Sequence, residues 1–147
     1  MRLTLHTDYA LRALILLASA GQQGSTALEI ASRHGVSANH MQKILQRLRA
    51  LGFVETVRGR GGGVRLARPA GDIVIGDVVR GCEPELSPAE CFNPAGSLCR
   101  LTGACRLKGV LAEALAAYLA VLDRYTLSDV AANRALIAEL LGLEPQA

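Results

Sequence analysis

Apolar residues recur at intervals of three and four along the first twenty residues, and this spacing predicts an amphipathic α-helix from about Asp8 to Ala20. Thr7 is the expected N-cap, Asp8 suits the first helical turn, and Gly21 follows the end. Asp8 and Arg12 interrupt the apolar run, which is therefore too short for a membrane span or a secretory signal core. We expect a cytoplasmic protein that does not enter a membrane.

A short helix, a glycine turn and a longer helix are predicted next. Thr26 and Glu29 have the spacing of a capping box before "ALEIASRH", and Gly35 ends that helix. Ser37 then caps a helix whose apolar positions recur every three or four residues and leave polar faces. This order indicates a helix-turn-helix, whose second helix reads DNA. The candidate base- and phosphate-facing residues are Ser37, Asn39, His40, Gln42, Lys43 and Arg47.

Two short alternating stretches, "FVETV" and "VRLA", predict a β-hairpin around the tip "RGRGGG". Glycines permit the positive φ angles of a tight tip, and Arg58, Arg60 and Arg65 flank it. Directly after a helix-turn-helix, such a hairpin is typical of a DNA-binding wing whose arginines contact the backbone or the minor groove. The alternative is a flexible glycine loop with solvated arginines.

In the second half of the chain, "DIVIGDVVRGCEPE" predicts a short strand and then a short helix around Ile75–Arg80. A cysteine-bearing loop and a long helix from about Leu107 to Arg124 are predicted to follow. The long helix carries a wide apolar stripe that one small winged domain can hardly cover. We therefore expect a two-fold dimer through this helix; packing on its own domain is the alternative. The tail predicts one more short helix.

The whole pattern predicts a mainly α fold with a small β wing. We divide it into a winged helix-turn-helix DNA-binding domain over 1–80, a cysteine loop over 81–106, and a dimerisation helix with its tail over 107–147. The chain carries +3 overall, but the segment from Glu29 to Arg68 has eight basic and two acidic residues. Because the positive charge is concentrated there, that segment is expected to meet a polyanion such as DNA.

Three of the four cysteines, Cys91, Cys99 and Cys105, stand in the pattern C-x7-C-x5-C. Structural disulfides are rare in the cytoplasm, so a zinc site, a reactive-thiol sensor or an iron–sulfur cluster remain open, beside cysteines without a role. Cys82 is expected to be a buried or spare thiol. An enzyme is not indicated, because no histidine lies near the thiols and no nucleotide-phosphate motif is present.

Several stretches together resemble a known family, the winged-helix iron–sulfur transcription regulators, and within it the nitric-oxide-sensing NsrR-type repressors. The resemblance covers nearly the whole chain. The stretches that carry it are "MRLTLHTDYALRALILLA", "VSANHMQKILQRL", "GFVETVRGRGGGVRLARP", "GDVVR", "ECFNP" and "ACRLKGVLAEALAAYLAVLDRYTL".

The resemblance implies a homodimer with an iron–sulfur cluster, 4Fe–4S or alternatively 2Fe–2S, held by Cys91, Cys99 and Cys105. Regulators of cluster biogenesis in this family have a histidine three residues after the last cysteine, where this chain has Lys108. The nitric-oxide sensors instead have a carboxylate near the N-terminus, and Asp8 matches that position. The first cysteine gap departs from the family pattern, since many relatives have four or five residues where this chain has seven.

The function implied is that of a nitric-oxide-sensing repressor. The dimer would bind palindromic operator DNA while its cluster is intact and leave it when nitric oxide attacks the cluster. Asp8 has a simpler alternative role as a stabilising charge in the first helical turn, with Arg12 beside it at i, i+4. The alternative function is a winged-helix regulator that senses redox or iron–sulfur status through the same cysteines.

Overall fold

The computed structural model describes residues 2–21, 24–59, 62–93, 96–101 and 103–143. Two short 3₁₀ turns also occur there, at Ala70–Asp72 and Glu90–Phe92. The helices and strands of this part of the chain are α1 (Leu5–Ala20), α2 (Ala27–His34), α3 (Ala38–Ala50), β1 (Val54–Val57), β2 (Gly63–Leu66), α4 (Ile75–Cys82), α5 (Arg106–Leu122), α6 (Leu127–Val130) and α7 (Arg134–Leu140).

Helix α1 lies at the centre of the fold, where it contacts α2, α3, α4, α6, α7 and β2. Its apolar residues are buried around most of its circumference, as expected of a helix with neighbours on several sides. The fully buried large side chains include Leu14, Leu16, Leu17, Ile30, Met41, Ile44, Leu48 and Leu127.

The first helix begins earlier than its sequence signals indicate. Thr4, rather than Thr7, is the N-cap, and its hydroxyl accepts a hydrogen bond from the backbone N–H of Thr7 at 3.3 Å. Thr7 is fully buried inside the first turns. Asp8 still falls in the first turn, where a negative charge is favourable.

The helix-turn-helix forms as predicted. Thr26 and Glu29 form the capping box of α2, with Glu29 Oε2 accepting from the backbone N–H of Thr26 at 2.7 Å. Gly35 follows α2 with φ +65°, a left-handed conformation that glycine adopts without strain. Ser37 caps α3 by accepting a hydrogen bond from the backbone N–H of His40 at 3.2 Å. These local bonds fix the angle at which α3 leaves the turn.

The predicted hairpin also forms, as an antiparallel pair in which Val54 faces Leu66 and Val57 faces Gly63. A bridge between Ser25 and Val64 attaches this hairpin, the wing, to the start of α2. The approach is close at Gly63, where a Cβ would lie 2.7 Å from the backbone of Ser25. Only glycine therefore fits at this junction.

The short strand predicted just before the helix around Ile75–Arg80 is wrong. The chain makes a 3₁₀ turn at Ala70–Asp72, and the extended Val74 after it forms only an isolated bridge with Thr126. Beside that bridge, the N–H of Leu127 donates to the carbonyl of Ile73 at 2.8 Å. The chain thus returns after α5 to the winged part, which is the region formed by α1–α4 and the hairpin. Leu127 is completely buried there.

The tail forms two short helices rather than the one predicted. Helix α7 packs against α1, and Arg33 of α2 donates hydrogen bonds to the carbonyls of Leu141 and Gly142. Residues 127–143 therefore contribute to the same core as α1. No helix in the described part of the chain is long and apolar enough to cross a membrane.

Candidate DNA-reading surface and cysteine segment

The polar face of α3 is open to solvent. Asn39, Gln42, Lys43 and Arg47 are exposed, whereas the buried residues of the helix, beginning with Met41, face the core. Four of the six predicted reading residues therefore share an accessible face that carries two positive charges. Such a face offers donors for base edges and cations for phosphates.

His40 is half-buried because it lies against α1. Its ring meets the ring of Tyr9 edge to face, with centroids 5.8 Å apart, and the ring of His6 lies 6.4 Å away. Burial and the proximity of His40 lower the pKa of His6. Since the ordinary pKa of histidine is already below 7, His6 is expected to be neutral at physiological pH.

Arg47, one of the predicted reading residues, also makes a hydrogen bond within the protein. Its Nε donates to the carbonyl of Gly81 at 2.9 Å, at the C-terminal end of α4. At the same end, Glu83 Oε2 accepts from the N–H and the hydroxyl of Thr4 at 3.1 and 3.2 Å. These bonds join the end of α4 to α3, and they join the start of the cysteine segment, residues 83–105, to α1.

The wing arginines differ from one another. Arg58 is exposed near the tip, whereas Arg65 pairs with Glu55 on the facing strand at 2.7 Å. Arg60 lies outside the described residues. A cleft of about 240 Å³ separates the wing from α3, with Gln42 and Arg49 among its lining residues. Polar side chains from both elements therefore border one continuous surface.

The three candidate ligand cysteines all lie in the cysteine segment between α4 and α5. Cys91 is half-buried in the 3₁₀ turn, Cys99 is exposed, and Cys105 immediately precedes α5. Glu90 Oε1 accepts from the N–H of Leu98 at 2.8 Å and folds this segment back on itself. No disulfide forms among the described residues.

These thiols suit iron in their chemistry, since iron–sulfur clusters take soft thiolate ligands from wrapping loops. The structure nevertheless leaves the three thiols apart: within the described residues, no three His, Cys, Asp or Glu side chains lie close enough to hold a metal ion. The three thiols are therefore at least partly exposed, but they do not come together into one metal site within the described residues of the single chain.

Cys82 has the opposite character. It is buried at the end of α4, as the sequence indicates, and burial raises the pKa of its thiol to about 11. A thiol held neutral in this way is a poor metal ligand and a poor nucleophile. It lines a cleft of about 380 Å³ together with Thr4, His6, Arg47 and Glu83.

Asp8 forms the predicted pair with Arg12. The two oxygens of its carboxylate face the guanidinium, with Nη2–Oδ2 at 2.8 Å and Nε–Oδ1 at 3.1 Å. Both side chains remain substantially exposed, at 38% for Asp8 and 51% for Arg12. The carboxylate is thus held in place and is still reachable from solvent.

Sequence reasoning did not single out Tyr9. Arg12 Cζ lies 5.4 Å from the centroid of its ring, on which His40 also packs. Composition could have pointed to this residue, because the chain has only three tyrosines and two phenylalanines, and one of these five aromatic residues, Tyr9, stands next to Asp8.

The fold and the exposed reading helix define a winged-helix DNA-binding transcription regulator, and comparisons with known proteins give its family. Residues 3–133 match the Rrf2 family model, described as "Iron-dependent Transcriptional regulator". The chain belongs to the Rrf2 family. It is thus grouped with regulators rather than enzymes, as the sequence indicates.

Named relatives confirm the resemblance to NsrR-type regulators. The chain is 49% identical over 146 residues to the HTH-type transcriptional regulator NsrR of Bacillus subtilis (strain 168), covering 98% of this chain and 99% of that protein. It is 47% identical over 142 residues to the regulator of the same name from Geobacillus kaustophilus (strain HTA426), covering 96% and 97%.

Solved structures confirm the fold. The oxidised form of Staphylococcus aureus CymR aligns with a TM-score of 0.71 and 30% identity over 89% of this chain and 96% of that one. The structure of T. potens IscR aligns with a TM-score of 0.69 and 25% identity over 100% and 94%.

Proposed function

We propose that this regulator is a cytoplasmic nitric-oxide-sensing repressor that binds operator DNA as a homodimer with an intact iron–sulfur cluster. The observation that carries the proposal is the position of the three thiols. They lie between α4 and α5, and the carbonyl of Gly81 near the end of α4 accepts a hydrogen bond from Arg47 of the reading helix. A change at the thiols therefore has a short route to the DNA-reading surface. The nitric-oxide part rests on the resemblance to the NsrR-type sensors.

The apolar surface of α5 supports a dimer. None of its seventeen residues, all of them described, is buried in the single chain, and Leu107 and Val110 are about 60% exposed. A second copy of the same helix offers a complementary apolar face. Two reading helices would then be presented to successive major grooves, ~34 Å apart on a palindromic operator.

Val110→Glu tests this interface, because a charge in an apolar contact prevents its burial. We expect the variant to sediment as a monomer and to lose operator affinity. Ala116→Glu is the matched control: it adds the same charge to an exposed residue of α5 outside the apolar stripe, and it should leave the dimer intact. A dimeric Val110→Glu protein would place the contact elsewhere.

We propose Cys91, Cys99, Cys105 and Asp8 as the residues that hold the cluster. When bound, the cluster would supply iron able to react with nitric oxide, a small neutral molecule. The carboxylate of Asp8 is a hard ligand beside three soft thiolates, so it is the weakest of the four attachments. Arg12 keeps that carboxylate in one orientation. Loss of the Asp8 and cysteine attachments would lower the population of the DNA-binding arrangement.

Anaerobic purification tests the proposal directly. Iron and sulfide content, the visible absorption spectrum and operator affinity are measured before and after nitric oxide is added. We expect a coloured protein that loses operator affinity in proportion to nitric oxide. A colourless protein without iron or sulfide that binds its operator normally would refute the cluster. Loss of DNA binding with peroxide but not with nitric oxide would instead favour a redox sensor.

Asp8→Ala tests the fourth ligand. We expect the variant to keep iron and sulfide but to change its absorption spectrum or its rate of reaction with nitric oxide. Asp77→Ala is the control, because Asp77 is likewise an exposed acidic residue in the first turn of a helix. If the two variants behave alike, Asp8 is only a charge that stabilises α1.

A further inference from the structure

A continuous row of side-chain contacts joins the candidate ligand Asp8 to the DNA-reading helix. Asp8 is paired with Arg12. Arg12 Cζ lies 5.4 Å from the centroid of the Tyr9 ring, and that ring packs edge to face on His40 at 5.8 Å. His40 is the third residue of α3, so the row ends at the end of the helix that enters the major groove.

The contacts in this row depend on orientation. A guanidinium is attracted to the face of an aromatic ring, and an edge-to-face pair requires a fixed angle between its rings, here 86°. If Asp8 changes partner, the charge that orients Arg12 changes with it. Within the row, the Tyr9 ring packs against both Arg12 and His40.

We propose that Tyr9 is a positioning residue that couples the state of Asp8 to the placement of His40 on operator DNA. The inference rests on the proposed function, because it takes Asp8 as a cluster ligand and α3 as the reading helix. Tyr9 itself neither binds the cluster nor contacts DNA. Its ring transmits the position of Arg12 to α3.

Tyr9 also packs against the hydrophobic core, so loss of stability alone would not distinguish coupling from packing. The informative quantity is the ratio of operator affinities between cluster-loaded and cluster-free protein. A residue that only packs would change both affinities together and leave their ratio unaltered.

The experiment compares wild type, Tyr9→Leu and Tyr9→Phe as full-length proteins. Tyr9→Leu keeps an apolar side chain but removes the ring, whereas Tyr9→Phe keeps the ring and is the matched control. Tyr9→Met replaces Tyr9→Leu if that variant does not fold. Each protein is assayed for iron and sulfide content, thermal unfolding and operator affinity, first loaded and then after anaerobic removal of the cluster.

For wild type and Tyr9→Phe, we expect cluster removal to weaken operator binding by about tenfold or more, within the usual range of allosteric coupling. For Tyr9→Leu, we expect iron and sulfide content to stay at the wild-type level while the affinity ratio falls below about threefold. An unchanged ratio in Tyr9→Leu, with wild type still responding, overturns the inference alone. A wild type that holds no cluster, or whose affinity ignores it, overturns the proposed function instead.

Discussion

Helices α3 and α5 are both amphipathic, but only α3 buries its apolar face within the single chain. Met41, Ile44, Leu45 and Leu48 of α3 are buried, whereas no residue of α5, described over its full length, is buried. The winged part therefore has its core within one chain. The cysteine segment and α5 form a second region, and no apolar side chain of α5 is buried in the single chain.

The two regions also treat their cysteines differently. Cys82 belongs to the core of the winged part, while Cys91, Cys99 and Cys105 stay at least partly accessible. Under the proposed function, the first region supplies the stability of the fold and the second region responds to the effector.

The largest expected contrast is in stability. Leu48 is completely buried, so Leu48→Ala is expected to lower the free energy of unfolding by about 3 kcal/mol, through lost burial and a residual cavity. Leu98 of the cysteine segment is 94% exposed, and Leu98→Ala should change it by less than about 0.5 kcal/mol. Urea unfolding followed by circular dichroism measures both. Equal losses would mean that the second region carries a core of its own.

The second contrast is in thiol reactivity. Because the pKa of Cys82 is raised to about 11, its thiolate fraction at pH 8 is roughly two hundredfold smaller than that of a thiol of ordinary pKa. We expect iodoacetamide to modify Cys82 far more slowly than Cys99 in cluster-free protein, measured site by site by mass spectrometry. Unfolding in urea should remove the difference. A fast reaction at Cys82 in the folded protein would show that the end of α4 opens readily.

The elements of the winged part could be predicted because their signals are local. The Thr26 capping box and the Ser37 cap lie within three residues of the groups they bind. The predictions were wrong where contacts between residues distant in the sequence determine the local structure. Val74 meets Thr126, far along the chain, and the cap at Thr4 prevails because Thr7 is needed in the core.

The candidate site follows the same rule. Cysteine spacing and the i, i+4 relation of Asp8 and Arg12 can be read from the sequence. The contact of Tyr9 with His40 depends on how α1 packs against α3, and the bond from Arg47 to Gly81 depends on where α4 ends. Neither distance is encoded in a local pattern, so sequence reasoning could place Arg47 only on a DNA-facing surface.

Helix caps give a smaller contrast. Thr26→Ala removes the hydroxyl that accepts from the N–H of Glu29 and should cost about 1 kcal/mol of stability. Cys105 stands at the equivalent N-cap position of α5 but makes no side-chain capping bond there. Cys105→Ala in cluster-free protein should therefore leave unfolding by urea almost unchanged. A comparable loss in both variants would indicate that Cys105 supports α5 without any cofactor.

The smallest expected effect lies at the joint between the two regions, where Arg80 of α4 binds Asp123 after α5 through two bonds of 2.6 Å. These bonds lower the pKa of Asp123, so the pair stabilises the fold above the ordinary carboxyl pKa and is lost as pH falls through the lower folded value. Gly76 lies beneath the pair, and a Cβ there would overlap Asp123 Oδ1.

Gly76→Ala therefore separates the pair without changing any charge. Alanine also favours the helix, so α4 should remain intact. We expect the titration midpoint of the Asp123 carboxyl, followed by NMR, to rise towards its ordinary value, and Asp77→Asn in the same helix to move it much less. Because Arg80 and Asp123 form a side-chain contact between α4 and the end of α5, the variant should also loosen α5 against the winged part. An unmoved midpoint would show that Arg80 and Asp123 stay paired beside the new methyl group, contrary to the overlap expected at Gly76.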